Sequence, residues 1–341
     1  LWQQTLRAWL VDPQQGFTQS ETEPCLYSKT DGQGRHIIVA VYVDDLVVAH
    51  NDEVLFTKFK EGFLKHFRAK YLGPLSWFLG VAVDRDSKGV YHLHQTKYIN
   101  DLVARFGKHA NGRRMDHGVP MTADDASKMK TASDELEQMR MKQLPYLQLV
   151  GSLLYLAVMT RPDLMASMSL LCKYMSDPSE ACFDAALSVL SYVERTKDLE
   201  MVFSSRAQHQ KAFSPELCRS IDKNSGLHAF SDSSWGKAFP LHGYVVMLAG
   251  GPVAYQSRAL KIVADSSAEA EYAACSACAK ELVFVRELCR DMGFEVQGAI
   301  VLGVDNTAAI DIAKDEGVTK RNKHFERALH YIRKQVNMLR V

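Results

Sequence analysis

Three acidic residues stand where metal-dependent chemistry would need them. Asp232 lies at the end of the strand-like run LHAFSDSSW, Asp305 follows AIVLGV, and Glu271 sits early in the long helical run between them. Open α/β sheets bind their ligands beyond the C-terminal ends of strands, so both aspartates occupy a ligand edge. Glu271 begins a row that continues through Cys275, Cys278, Leu282, Val285, Cys289 and Met292, spaced alternately by four and three residues. That spacing marks the helix stripe expected to face a sheet. Glu269 has a different task, because with Ser266 three places earlier it fits a capping box. A carboxylate on a core stripe must be paired, protonated or bound to a cation, since an isolated buried charge is too costly. Carboxylates converging at such an edge would hold two Mg²⁺ ions about 3.5–4 Å apart, the arrangement that cleaves a phosphodiester. One ion would activate the attacking water and the other would stabilise the leaving 3′ oxygen. Oxygen-only ligands favour Mg²⁺ or Mn²⁺ over zinc. The alternative is that the aspartates are turn or cap residues and that Glu271 pairs with an arginine or caps a neighbouring group.

A second acidic pair, Asp44 and Asp45, lies between the β-rich arms of HIIVAVYVDDLVVAH, which reads as a hairpin. Asp-Asp is a common turn dipeptide, but apolar arms on both sides of two adjacent acids also suit a metal-holding tip. Near the C-terminus, Lys320, Arg321, Lys323, His324 and Arg327, continued by Arg333 and Lys334, form a local basic patch. It could hold nucleic-acid phosphates; a solvated helix face is the alternative. His92 and His94 alternate on one strand face with no third ligand close in sequence, so an exposed strand face is the simpler reading. Cys275 and Cys278 form a C-x-x-C inside the helical run with no second pair nearby, which points to core packing.

The elements that must position these residues follow from periodicity. Helices are predicted from Leu1 to Leu10, Val54 to Phe67, after a short alternating strand within GVYHLHQTKYINDLVARFG, from Leu147 to Tyr174 with a break at Thr160-Arg161-Pro162, and from Ser179 to Arg195. Residues 1–30 otherwise read as a turn-rich passage ending in CLYSK, and residues 110–145 as a polar insertion with partial helix. From Leu227 the order changes to three strands, a long helix, a strand and two helices, with a hairpin around Gly250-Gly251. At 341 residues the chain is long enough for two cores, and a net charge of +1 leaves any nucleic-acid contact to local patches. Seven scattered cysteines do not suggest a secreted disulfide framework, and no apolar run has membrane-spanning length. The first residue is Leu1 rather than Met, directly in an amphipathic pattern, which suggests a piece of a longer protein.

The runs SDSSW, GPVAYQSR, SSAEAEY, VDNTAAI and KRNKHFERALHYIR resemble the ribonuclease H domain of copia-type LTR retrotransposon Pol polyproteins. The resemblance implies that Asp232, Glu271 and Asp305 hold Mg²⁺ and that the domain cuts the RNA strand of RNA–DNA hybrids. The family's fourth acid is an Asp in a K-H-I-D run; here the run is KHFE, which puts the longer Glu326 in its place. YVDDLVVA resembles the YxDD box of reverse transcriptases, where Asp44 and Asp45 would help hold the ions that join a primer 3′-OH to a nucleotide. GFTQSETEPCLYSK, LGPLSWFLGVAV, HQTKYINDLVARFG and VGSLLYL with TRPD follow the same family in the same order.

The resemblance implies an α/β protein in two parts. Residues 1–204 would be an α+β palm and thumb, 205–224 a linker, and 225–341 a ribonuclease H-like domain with a mixed five-stranded sheet. Its partners would be an RNA–DNA hybrid, primer-template and the fingers and palm segment that precedes this sequence in the polyprotein, inside the cell and away from membranes. The family's first metal-binding Asp belongs to that preceding segment, so polymerase activity is not expected from this chain alone. A second reading is a domesticated remnant that folds and binds nucleic acid without catalysis; Glu326 favours it and intact Asp232, Glu271 and Asp305 argue against it.

Overall fold

The structure, a computed structural model, describes residues 2–110, 118–204, 221, 226–234, 240–260, 264, 266–296, 298–314, 331–332 and 334–335. Helix α1 (Trp2–Leu10) is followed by an antiparallel sheet in the order β1 (Thr18–Gln19), β2 (Leu26–Thr30), β3 (His36–Tyr42), β4 (Asp45–His50). Helix α2 (Glu53–His66) then begins at Asp52, whose carboxylate accepts from the Leu55 N–H at 2.7 Å. Phe56, Phe59 and Phe63 recur at helical spacing and pack with Leu6, Leu10, Tyr27, Ile37 and Val39 into one core. The hairpin expected around Asp44 and Asp45 forms. Strand β2 is a correction to the turn-rich reading of CLYSK: pairing with β3 and burial of Leu26 and Tyr27, both non-local, make it a strand.

A second antiparallel sheet has the order β5 (Trp77–Phe78), β6 (Val81–Arg85), β7 (Tyr91–His94) and, from much later in the chain, β8 (Met201–Phe203). Between β7 and β8 come α3 (Thr96–Phe106), α4 (Ala123–Lys128), α5 (Glu135–Gln143), α6 (Tyr146–Met159), α7 (Met165–Lys173) and α8 (Glu180–Arg195). Leu149, Leu153 and Leu156 of α6 are fully buried, each contributing about 1.5–3 kcal/mol. The α6–α7 break falls where the sequence places it, because Pro162 disfavours helical geometry at Arg161. Arg161 itself is buried. Its guanidinium donates to both carboxylate oxygens of Asp163 at 2.9 and 2.8 Å, and to the Thr196 carbonyl and hydroxyl at 3.1 and 2.7 Å. This pins the break to the end of α8.

The third sheet contains β9 (His228–Ser233), β10 (Leu241–Leu248), β11 (Gly251–Ala259) and β12 (Val301–Gly303), with α9 (Ser267–Asp291) and α10 (Thr307–Lys314). The order is β11-β10-β9-β12, antiparallel except for the parallel β9–β12 pair. It is therefore a mixed sheet, with four strands among the described residues where the resemblance implies five. Cys278, Leu282, Val285 and Cys289 pack against Leu227, Ala229 and Val246, so the predicted stripe of α9 does face the sheet. The β10–β11 turn is Ala249-Gly250, both at positive φ (49° and 76°), one residue earlier than expected. Gly251 instead opens β11 where a Cβ would lie 2.5 Å from the Phe203 ring.

The helices of the second sheet lean on the third. The Tyr255 hydroxyl donates to the Val158 carbonyl at 2.7 Å, and the Ser169 hydroxyl donates to the Ser257 carbonyl. At the far end of α9, Asp291 accepts from the Ser20 hydroxyl at 2.6 Å and the Thr22 N–H at 3.0 Å. No helix among the described residues is long and apolar enough to cross a membrane.

Candidate metal centre

Asp232 is the fifth residue of β9 and is exposed at its end. Asp305 lies two residues beyond β12, just ahead of α10, where the Asn306 side chain accepts from the Ala309 N–H at 3.0 Å. Strands β9 and β12 run parallel with Gly303 opposite Phe230. Carrying that register forward two places brings Asp305 beside Asp232. Glu271 comes from the second turn of α9, whose start is set by Ser266 accepting from the Glu269 N–H at 3.3 Å. The three residues each offer a carboxylate oxygen within 4.8 Å of the others.

Glu271 is buried, at 5% exposure, and its two oxygens have different surroundings. Oε1 accepts from the Ser233 N–H at 3.1 Å and the Ser233 hydroxyl at 3.0 Å. Oε2 is buried with no hydrogen-bond partner among the described residues. Burial pushes the Glu271 carboxyl above the usual carboxylate range; the bonds from Ser233 pull it back, and the charges of Asp232 and Asp305 push it up again. A buried oxygen without a donor, facing two further carboxylates, is unfavourable unless a cation neutralises it. The donor set is oxygen only and fits a hard divalent ion such as Mg²⁺ or Mn²⁺. Ser233 is the functional partner that the sequence reading missed. Its only signal was a small hydroxyl residue next to Asp232 in SDSSW.

The other candidate positions divide clearly. Asp44 and Asp45 are exposed at the β3–β4 tip, where Tyr42 pairs with Asp45 across a two-residue turn, Val43-Asp44. Val43 has φ 53°, and its carbonyl accepts the Trp2 indole N–H at 2.9 Å. No third acid joins Asp44 and Asp45 among the described residues. Glu326 and the basic positions Lys320, Arg321, Lys323, His324 and Arg327 lie outside the described residues, as does Arg333. His92 and His94 join no group of three possible metal ligands among the described residues. His92 Nδ1 lies 2.8 Å from Glu200, and His94 lies 3.0 Å from Asp84 and 2.9 Å from Thr96. Cys275 and Cys278 are buried core thiols beneath Glu271, with pKa values raised by burial.

Comparison with known proteins extends beyond this geometry. Residues 1–119 match the family described as reverse transcriptase (RNA-dependent DNA polymerase). The chain is 28% identical over 331 residues to the retrovirus-related Pol polyprotein from transposon TNT 1-94 of Nicotiana tabacum, covering 95% of this chain and 23% of that protein. It is 30% identical over 347 residues to the corresponding polyprotein from transposon RE2 of Arabidopsis thaliana, covering 98% and 22%. For that from transposon RE1 of the same plant the values are 28%, 98% and 22%. The chain thus spans less than a quarter of the length of these relatives. No solved structure matches it. An Asp-Asp hairpin inside the matched 1–119 segment, and similarity that runs on through the acidic trio, are both accounted for in one way: the chain belongs to the copia-type retrotransposon Pol polyproteins, with a reverse transcriptase domain at its start.

Proposed function

We propose that the third sheet and its helices form a ribonuclease H that cuts the RNA strand of RNA–DNA hybrids with Mg²⁺ or Mn²⁺, attached to the part of a reverse transcriptase that handles primer-template. The observation that carries this reading is the convergence of Asp232, Glu271 and Asp305 within 4.8 Å, with one Glu271 oxygen buried and partnerless. Bound there, divalent ions would supply an activated water and charge stabilisation for the leaving oxygen. The protein's own contribution is positional. Parallel pairing of β9 and β12 sets the two aspartates side by side, and Ser233 holds one Glu271 oxygen so that the other faces the site. Glu326 is the proposed fourth ligand, and the basic run from Lys320 to Arg327 is proposed to hold hybrid phosphates.

The test is a cleavage assay on a labelled RNA–DNA hybrid with Mg²⁺, comparing the wild type with Asp305→Asn. Cleavage by the wild type and its loss by at least a hundredfold in the variant is the expected result. Equal behaviour of the two sinks the nuclease reading and leaves a folded remnant without catalysis.

A further inference from the structure

One row of residues crosses the open end of the third sheet. Register places Ser233 on β9 opposite His242 on β10, and His242 opposite Arg258 on β11. Ser233 is the residue that holds Glu271. His242 shares a sheet face with Tyr244 and Val246, whose side chains meet α9. Its ring is buried, at 7% exposure, and Nε2 lies 3.3 Å from Arg258 Nε, which donates to it. Accepting that bond requires a bare Nε2, so a neutral ring carries its proton on Nδ1. Burial, and then the Arg258 charge, lower the His242 pKa and favour that neutral form. Nδ1 is buried without a hydrogen-bond partner among the described residues.

This arrangement is a poor device for stability. The bond from the charged guanidinium gains about as much as the unsatisfied ring N–H in the interior costs, so the pair adds little net stability. Arg258 forms no ion pair among the described residues, although its row across the sheet begins at Ser233, next to Asp232. Its Nε is engaged by His242, and the terminal N–H groups of the guanidinium have no acceptor among the described residues. The fork is held in place and left open for an anion. Two strand spacings separate Arg258 from Ser233, about 10 Å. Successive phosphates of one nucleic-acid strand advance by about 3.4 Å along the helix axis. A phosphate one to three positions from a bond held at the acidic trio therefore falls within reach of Arg258.

We infer that Arg258, oriented by His242, binds a backbone phosphate flanking the scissile bond, which makes Arg258 a substrate-binding residue and His242 its positioning residue. The inference rests on the nuclease reading above and adds to it a contact built from β10 and β11. A planar fork suits a phosphate in a way that a lysine ammonium does not.

The experiment uses the whole chain and a fluorescein-labelled RNA–DNA hybrid. Binding is followed by anisotropy from 50 to 300 mM KCl, with Ca²⁺ in place of Mg²⁺, for the wild type, Arg258→Gln, Arg258→Lys and His242→Phe. Arg258→Gln is expected to weaken binding about tenfold and to lower the slope of log K against log salt by about one. Arg258→Lys keeps the slope, because the charge remains, yet loses affinity. His242→Phe also keeps the slope and raises KM for cleavage without a matching loss of kcat. An unchanged slope in folded Arg258→Gln, with wild-type cleavage intact, overturns this inference alone. If Arg258→Gln does not fold, Arg258→Lys binding as tightly as the wild type overturns it. A wild type that neither binds nor cuts the hybrid overturns both readings.

Discussion

Ser233 and Glu271 are joined twice, by a backbone N–H at 3.1 Å and a hydroxyl at 3.0 Å, both to the same carboxylate oxygen. The pair ties the end of β9 to the second turn of α9. It decides which Glu271 oxygen is used up within the protein and which is left facing Asp232 and Asp305. Ligand-orienting groups of this kind commonly change metal affinity by about 10–100-fold when removed. Ser233→Ala, which keeps the N–H and loses the hydroxyl, is therefore expected to weaken Mn²⁺ binding about tenfold by calorimetric titration. Affinity equal to the wild type would show that the N–H suffices.

Glu271 also sets a pH dependence. Its carboxyl is raised in the folded protein, first by burial and then by the two neighbouring aspartates. A raised pKa means that the group's contribution to stability is present below the ordinary carboxylate range and is lost as pH rises through the folded pKa. In EDTA, the melting temperature is expected to fall over that interval in the wild type and to stay flatter in Glu271→Gln. At pH 8 without metal the variant should melt higher, by roughly 2–4 °C. Millimolar Mg²⁺ should close the gap by stabilising only the wild type. A variant that melts lower than the wild type in EDTA at pH 8 would contradict the burial argument.

Gly303 sets how closely β12 approaches β9. A Cβ there would lie 2.5 and 2.8 Å from the edge of the Phe230 ring. Gly303→Ala should cost about 1–3 kcal/mol by overpacking and should weaken Mn²⁺ binding, because β12 carries Asp305. Combining it with Phe230→Leu should recover most of both losses, as measured by urea denaturation and metal titration. No recovery would place the cost elsewhere.

Glu137, at the start of helix α5, gives an opposite pH response. Its carboxylate accepts from the Ser133 N–H and hydroxyl at 2.7 Å each, and from the Glu180 N–H at the start of α8 at 2.9 Å. These bonds, with the Ser133 N–H foremost, hold its pKa down to about 2. A depressed pKa contributes stability above the unfolded carboxylate value that is lost as pH falls towards about 2. Glu137→Gln should cost ~1–2 kcal/mol near neutrality, and its urea midpoint should approach the wild type's by pH 2.5. A constant difference between the two from pH 7 to 2.5 would show that the charge is not the cause.

Val43 occupies the first position of the two-residue turn before Asp45, at φ 53°, a region that a β-branched residue seldom enters. It is 70% exposed, so little burial is at stake. Val43→Gly should stabilise the chain by up to about 1 kcal/mol through relief of strain, read as a higher urea midpoint with an unchanged slope. A lower midpoint would mean that the turn is held by more than the Trp2 indole bond.

Much of this protein was legible in the order of its residues. The β3–β4 hairpin, the α6–α7 break at Pro162 and the sheet-facing stripe of α9 are local consequences of alternation, ring geometry and 3.6-residue periodicity. Glu271 was distinguishable from Glu269 because one sits on the stripe and the other has a capping position. Strand β2 was not legible, since CLYSK becomes a strand only when β3 pairs with it. Ser233, His242 and Arg258 escaped for the same reason. Each acts across strands or between sheet and helix, and sequence spacing does not encode which residue lies opposite which.

By itself, then, the sequence determined the types of the acids, the elements that carry them and their family. Only the tertiary structure decided that Asp305 stands beside Asp232, that a single oxygen of Glu271 is left without a donor, and that Arg258 is held by a buried histidine. Local propensity acts within a few residues. Register, burial and electrostatic repulsion depend on neighbours brought together from distant parts of the chain, and those are the quantities that gather three carboxylates at one sheet edge.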